Sequence, residues 1–218
     1  VLQANTTPGF TYAIAYCLSC VMYALFLPVR SGRLGERGRR LLCSAGLFLV
    51  VCTFMVLTDG VETTLFVPCM VFIFLVLTAY FLVLSEVPWQ KAAYFTVHAF
   101  IAGEFSASLS WQLLYFAFTQ NLLPGSLPVQ VTGGAVISLL VTLVVYRLNR
   151  RFQEDNVKLE ISWKDLLIAL LIGLSVYTLS NLSYIADTSP FSSHYVSETF
   201  IIRTMTDLCG CGLLYAYH

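Results

Sequence analysis

The chain of 218 residues has a formal net charge of zero, with 58% hydrophobic and 11% charged residues. Soluble domains contain about 25% charged residues, so this composition excludes a soluble globular domain. The zero net charge gives no indication of a nucleic-acid partner. The sequence instead predicts an all-α, polytopic membrane helix bundle that forms one domain over residues 1–218.

Seven apolar segments are long enough to cross a bilayer as helices, since about 20 residues at 1.5 Å each span the hydrocarbon. The first segment follows a short polar lead that contains no basic residue, so we interpret it as a true span and not as a signal peptide. The predicted spans are residues 10–29, 41–58, 64–84, 92–118, 129–147, 165–185 and 199–217.

Lysine and arginine in the connecting loops predict the orientation, because cytoplasmic loops are enriched in these residues. The connectors after the first, third and fifth spans hold 11 of the 12 basic residues, and the other connectors hold none. The twelfth basic residue, Arg203, lies within the seventh span. We therefore predict an outer N-terminus and a cytoplasmic C-terminus. The outer loops are too short to form a folded extracellular domain.

The fourth span carries a polar face among its apolar residues. At 100° per residue, about a third of its circumference holds Glu104, Ser108, Trp111, Gln112 and Tyr115. Taking a carboxylate to mid-bilayer costs roughly 2.5–3.5 kcal/mol, so such a residue usually faces the protein interior and has a partner. His98 lies just off the edge of this face and is interpreted as a hydrogen-bonding residue between helices.

The seventh span carries Arg203 and Asp207, which are four residues apart and therefore on one face. Because the fourth span runs outward and the seventh inward, Glu104 and Asp207 are both expected near mid-bilayer. Arg203 is expected one turn further out, within reach of either carboxylate or of the Trp111 ring. The alternative is a structural Arg203–Asp207 pair that only allows both residues to enter the membrane.

From these positions we predict that the fourth and seventh spans face each other. The predicted signal-binding or coupling site consists of Glu104, Ser108, Trp111, Gln112, Arg203 and Asp207.

No catalytic or metal-binding pattern accompanies these residues. The sequence has no HExxH, GxSxG or P-loop motif, and its closely spaced cysteine pairs lie within spans, where cysteine is usually a small packing residue. We therefore expect no enzymatic activity, metal site or cofactor within these residues. The polar groups that end the sixth span, among them Tyr177 and Ser180, are interpreted as an interfacial belt, with the lining of an outer cavity as the alternative.

Two stretches together resemble the membrane-embedded N-terminal region of bacterial sensor histidine kinases of the GHKL type, as found in gut Firmicutes. They are AFIAGEFSASLSWQLLYF at 99–116 and FIIRTMTDLCGCGLLYAYH at 200–218. The residues that carry the resemblance are Glu104, Ser106, Ala107, Ser108, Leu109, Trp111, Gln112, Leu113, Ile202, Arg203, Thr204, Asp207, Leu208, Gly210, Leu213, Tyr215, Ala216, Tyr217 and His218.

The resemblance implies a sensor or input module in the bacterial plasma membrane, which works as a homodimer. It also implies a cytoplasmic kinase domain after residue 218, and only that domain is expected to bind ATP and magnesium. The kinase is expected to act on a response regulator, often of the LytTR type.

Signal relay would pass through the last helix into the cytoplasm. Because the outer loops are short, the expected signal is a small or lipophilic peptide, or the state of the lipid bilayer itself. The competing class is a small seven-span transporter that uses Glu104 and Asp207 as a proton or cation path. The sequence shows no internal repeat, which weighs against that class.

Overall fold

The computed structural model of the protein describes residues 8–30, 35–58, 63–156, 160–180 and 196–216. Over these ranges the chain is helical, and each predicted span corresponds to one helix. The helices are α1 (Gly9–Ala24), α2 (Glu36–Leu57), α3 (Thr63–Leu84), α4 (Trp89–Thr119), α5 (Leu127–Asn156), α6 (Trp163–Ser180) and α7 (Val196–Ala216).

The helix ends differ from the predicted spans where the loops contain strong local signals. α1 ends at Ala24 and not at residue 29, because Pro28 has no backbone N–H and disfavours helical geometry at the residue before it. α2 begins at Glu36 and not at residue 41. Its first turns consist largely of arginine, which favours helix, and Glu36 complements the positive end of the helix dipole.

Two of these arginines cap the ends of other helices. Arg40 donates from Nη1 to the carbonyl oxygen of Ala24 over 2.5 Å and from Nη2 to that of Leu27 over 3.0 Å. Arg39 donates from Nη2 to the carbonyl oxygen of Val83 over 2.7 Å. The last carbonyls of a helix have no partner within the helix, and basic side chains stabilise them. The start of α2 therefore holds the ends of α1 and α3 together.

The same two helix ends are also joined through the backbone. Val29 and Ser85 form an isolated antiparallel bridge, and the N–H of Arg30 donates to the carbonyl oxygen of Leu84 over 2.9 Å. The connectors that follow α1 and α3 therefore form one hydrogen-bonded unit at this end of the bundle.

α4 lies at the centre of the bundle. It packs against α1, α3, α5, α6 and α7, and most of its residues between Lys91 and Trp111 are buried. Two glycines allow close helix approach, since a Cβ atom at Gly103 would lie 2.5 Å from Cδ1 of Tyr16, and one at Gly173 would lie 2.8 Å from Cγ1 of Val97. The packing of α7 against α4 confirms the predicted pairing of the fourth and seventh segments.

Within the part of the chain that the structure describes, four helical segments are long and apolar enough to cross a membrane. They are Glu36–Leu57, Val67–Leu84, Leu127–Leu148 and Trp163–Ser180, and α1 is a shorter apolar helix. Large apolar side chains are exposed on all four, among them Leu49, Phe72, Leu75, Leu140 and Leu171. Extensive exposed apolar surface marks contact with a membrane or a partner. The protein is therefore an α-helical bundle of the membrane type.

Candidate functional site

Glu104 is the centre of a polar cluster between α1, α4 and α7. Its side chain is fully buried, with 0% exposure. One carboxylate oxygen, Oε1, accepts a hydrogen bond from the hydroxyl of Tyr16 in α1. The other, Oε2, lies 2.9 Å from Nη2 of Arg203 in α7. A buried charge is tolerated when it is paired and hydrogen-bonded, and this carboxylate finds its partners on two other helices.

Arg203 is itself 4% exposed and lies against an aromatic ring. Its guanidinium carbon is 5.3 Å from the ring centroid of Tyr12 in α1, a distance at which the ring face attracts the cation. The rings of Tyr12 and Tyr16 stack at a centroid distance of 6.0 Å. α1 therefore supplies both an aromatic surface for the cation and a hydroxyl donor for the carboxylate.

Asp207 occupies the same seam between α4 and α7 and is 0% exposed. Its Oδ2 accepts a hydrogen bond of 3.2 Å from the hydroxyl of Ser108. Further along the seam, Nε2 of Gln112 donates to Oγ1 of Thr204. The pairs Ser108–Asp207 and Gln112–Thr204 show that α7 runs antiparallel to α4, as the sequence predicts.

Five of the six predicted site residues thus form polar contacts across the α4–α7 seam: Glu104, Ser108, Gln112, Arg203 and Asp207. Trp111, the sixth, is 1% exposed and packs in the core. Its indole nitrogen donates no hydrogen bond to any residue that the structure describes. The polar and charged members are therefore brought together, and Trp111 contributes packing.

Sequence reasoning missed the aromatic half of the site. Tyr12 and Tyr16 were not singled out, although their spacing of four residues places both rings on one face of the first span. The interpretation of Tyr177 and Ser180 as an interfacial belt is wrong for Ser180, and Tyr177 contacts the central helix. Ser180 is buried, and the Tyr177 ring packs 5.5 Å from the ring of Phe100 in the central helix.

His98 lies apart from this cluster, among aromatic rings. Its ring centroid is 4.6 Å from that of Tyr94 and 5.9 Å from that of Tyr23 in α1. Within the described parts of the chain, no group of three or more His, Cys, Asp or Glu side chains could hold a metal ion. The chemistry that the polar cluster offers is the exchange of hydrogen-bond and ion-pair partners between helices.

Comparisons of the chain with protein-family models, with curated proteins and with solved structures each found no match. The contacts of the polar cluster are therefore the basis for a functional conclusion.

Proposed function

We propose that the chain is the transmembrane sensor, or input module, of a bacterial two-component histidine kinase of the GHKL type. It crosses the plasma membrane seven times, with the N-terminus outside and the C-terminus in the cytoplasm. The observation that carries the proposal is the buried ion pair between Glu104 and Arg203. This pair connects the central helix to α7, the helix that leads into the cytoplasm in this orientation.

The polar seam gives α7 two discrete arrangements against α4. Apolar helix surfaces slide past one another with little penalty, whereas a buried guanidinium must remain beside a carboxylate. Arg203 has two carboxylates within its range: Glu104 on the facing helix, which it contacts here, and Asp207 one turn along its own helix. A signal that changes the preferred partner shifts α7, and the shift passes into the segment that follows.

The proposed site of signal action and the proposed partners of the chain follow from the same arrangement of helices. The contact between Gln112 and Thr204 lies on the outer side of the ion pair in this orientation, where a small or lipophilic peptide, or a change in the bilayer, would act. The face of α7 away from α4 exposes Ile202, Met205 and Leu213, which suits contact with lipid or with a second copy in a homodimer. A kinase domain after residue 218 would bind ATP and magnesium and act on the response regulator.

A transporter is the second candidate, because two fully buried carboxylates lie in one seam. Such residues often mark ion pathways in membranes. The partners of Glu104 favour the sensor, since both of its oxygens are occupied by protein donors. The reading frame after residue 218 separates the two classes. In-frame GHKL sequence motifs support the sensor, and their absence supports the transporter.

The full-length protein, reconstituted in lipid vesicles, provides the direct test. Glu104→Gln removes the negative charge that Arg203 contacts on α4, so Arg203 is free to pair with Asp207. Asp207→Asn leaves Glu104 as the carboxylate that Arg203 can pair with in the seam. We expect the two variants to change autophosphorylation in opposite directions, each by about 5- to 150-fold, the usual size of an allosteric coupling.

Ser138→Ala is the matched control, because Oγ of Ser138 in α5 lies 2.9 Å from Oγ of Ser110 in α4, a buried polar contact that does not involve α7. Its autophosphorylation should match that of the wild type. Thermal unfolding is followed in parallel. If both carboxylate variants lose activity only in proportion to a loss of folded protein, the ion pair is structural and the proposal is wrong.

A further inference from the structure

The buried seam contains more negative than positive formal charge. Glu104 and Asp207 are both 0% exposed, and Arg203, at 4% exposure, is the cation beside them. With both carboxylates ionised, the three side chains carry a net charge of −1. This sum holds whichever carboxylate the guanidinium contacts.

Among the residues that the structure describes, the groups around Asp207 do not supply the missing positive charge. α7 packs against α4 and α6, and its own Cys211 lies one turn further along the helix, where it interacts with Asp207. Titratable or charged groups face this site from four helices. Within the described residues they are Glu104 of α4, Tyr177 of α6, Tyr12 and Tyr16 of α1, and Arg203 and Cys211 of α7. Apart from Arg203, each of these groups is neutral or negative. A buried carboxylate without a compensating positive charge is strongly disfavoured, so the second carboxylate is not expected to stay ionised.

We propose that the seam is a binding site for one exchangeable proton, which is held on the carboxyl group of Asp207 when Arg203 pairs with Glu104. Oδ2 of Asp207 accepts the hydrogen bond from Ser108, so Oδ1 carries the proton. Oδ1 is buried and accepts no hydrogen bond from the residues that the structure describes. The proton makes the total charge of the seam zero.

A proton fits this site better than a metal cation. Sodium or calcium would need several oxygen ligands. Both oxygens of Glu104 are occupied by Tyr16 and Arg203. The site therefore offers few oxygens, and a proton requires only one.

The test is infrared spectroscopy of the full chain in lipid vesicles at neutral pH. A protonated carboxyl group shows a C=O stretching band that is separate from the ionised carboxylate bands and moves to lower frequency in D₂O. We expect the wild type to show one such buried band. Labelling with [4-¹³C]aspartate should shift it, which assigns the proton to an aspartate and not to Glu104.

Charge counting makes the variants informative. Asp207→Asn and Glu104→Gln each leave one carboxylate with Arg203, so each should abolish the band. Arg203→Gln leaves two carboxylates without a cation and should roughly double its area. Ser138→Ala does not alter the charge and should leave one band. Circular dichroism establishes that each variant is folded, and the labelled wild type tests the proposal even if Arg203→Gln does not fold.

Three results would overturn the inference. The wild type could lack the band, the band could fail to move with labelled aspartate, or the band could survive in folded Asp207→Asn. If the band is absent and sodium raises the unfolding temperature of the wild type but not of Asp207→Asn, the site binds a metal cation. The proton site is a property of the bundle and does not depend on whether the chain is a sensor, so its failure leaves the autophosphorylation test unaffected.

Discussion

Gly103 allows the Tyr16 hydroxyl to reach Glu104. α1 crosses α4 at this glycine so closely that a Cβ atom there would lie 2.5 Å from Cδ1 of the Tyr16 ring and 3.3 Å from the Tyr16 Cα atom. The ring is fully buried and stacked on Phe100, so neither the ring nor the backbone can move aside freely. A side chain at position 103 would therefore move α1 as a whole and pull the hydroxyl away from the carboxylate.

Gly103→Ala should lower the free energy of unfolding by about 1–3 kcal/mol, the usual cost of overpacking a tight contact. The loss of the Tyr16–Glu104 hydrogen bond should add to this cost. Thermal unfolding in lipid or detergent measures the change.

Gly46→Ala is the control, since a Cβ atom at Gly46 in α2 would have nothing within 4 Å. It should be neutral or stabilising by up to about 1 kcal/mol, because alanine favours helix over glycine. Equal effects of the two substitutions would show that the close approach at Gly103 is not important.

At the residue scale, the sequence revealed the charges of the site but not their aromatic surroundings. A carboxylate and a guanidinium within apolar spans stand out because their burial is costly. Tyr12 and Tyr16 do not stand out, because tyrosine is common near membrane interfaces. Which rings lie under Arg203 depends on the rotation of α1 about its axis, and that rotation is determined by the contact at Gly103, far away in the sequence.

At the scale of helices, the number and order of the elements were predictable, and their ends were less so. Long apolar segments indicate helices because the bilayer leaves few alternatives. The end of α1 at Ala24 and the start of α2 at Glu36 depend on Pro28 and on arginines that satisfy carbonyls of other helices. The loop arginines entered the sequence analysis only as an indication of orientation, which stays a prediction, and their role as caps was not foreseen.

Arg40→Ala should loosen the end of α1. The substitution removes the hydrogen-bond donors to the carbonyl oxygens of Ala24 and Leu27. We expect the free energy of unfolding to fall by about 1–2 kcal/mol, which is toward the low end for a charged donor because Arg40 is partly exposed. Hydrogen–deuterium exchange should rise over residues 24–30 more than elsewhere.

Arg37→Ala removes the same charge from an exposed position on the same helix. Exchange over residues 24–30 should stay at the wild-type level in this variant. An equal increase in both variants would assign the effect to net charge and not to capping.

At the scale of the whole molecule, apolar residues are abundant on the outer surface as well as in the core, unlike in a soluble protein. The interior contains a carboxylate–guanidinium pair and several hydroxyls, and the outer faces of the apolar helices expose leucine, valine and phenylalanine. Composition alone predicted this class. The orientation of the bundle in the membrane is an independent expectation from the loop charges.

Reporter fusions test that orientation in living bacteria. Alkaline phosphatase, which folds only outside the cytoplasm, should be active when inserted after Gly125, between α4 and α5, and inactive after Gly35, before α2. A fluorescent protein that requires the cytoplasm should show the reverse pattern. Activity of the phosphatase at Gly35 would contradict the predicted outer N-terminus.

The partners of Glu104 are far apart in the sequence, and this has a consequence for biosynthesis. Tyr16 precedes Glu104 by 88 residues and Arg203 follows it by 99. When the ribosome has synthesised α4, the hydroxyl donor is already present, but the cation has not yet been made. The nascent bundle must therefore hold an uncompensated acid until α7 is synthesised, so the docking of α7 is the step that completes the surroundings of Glu104.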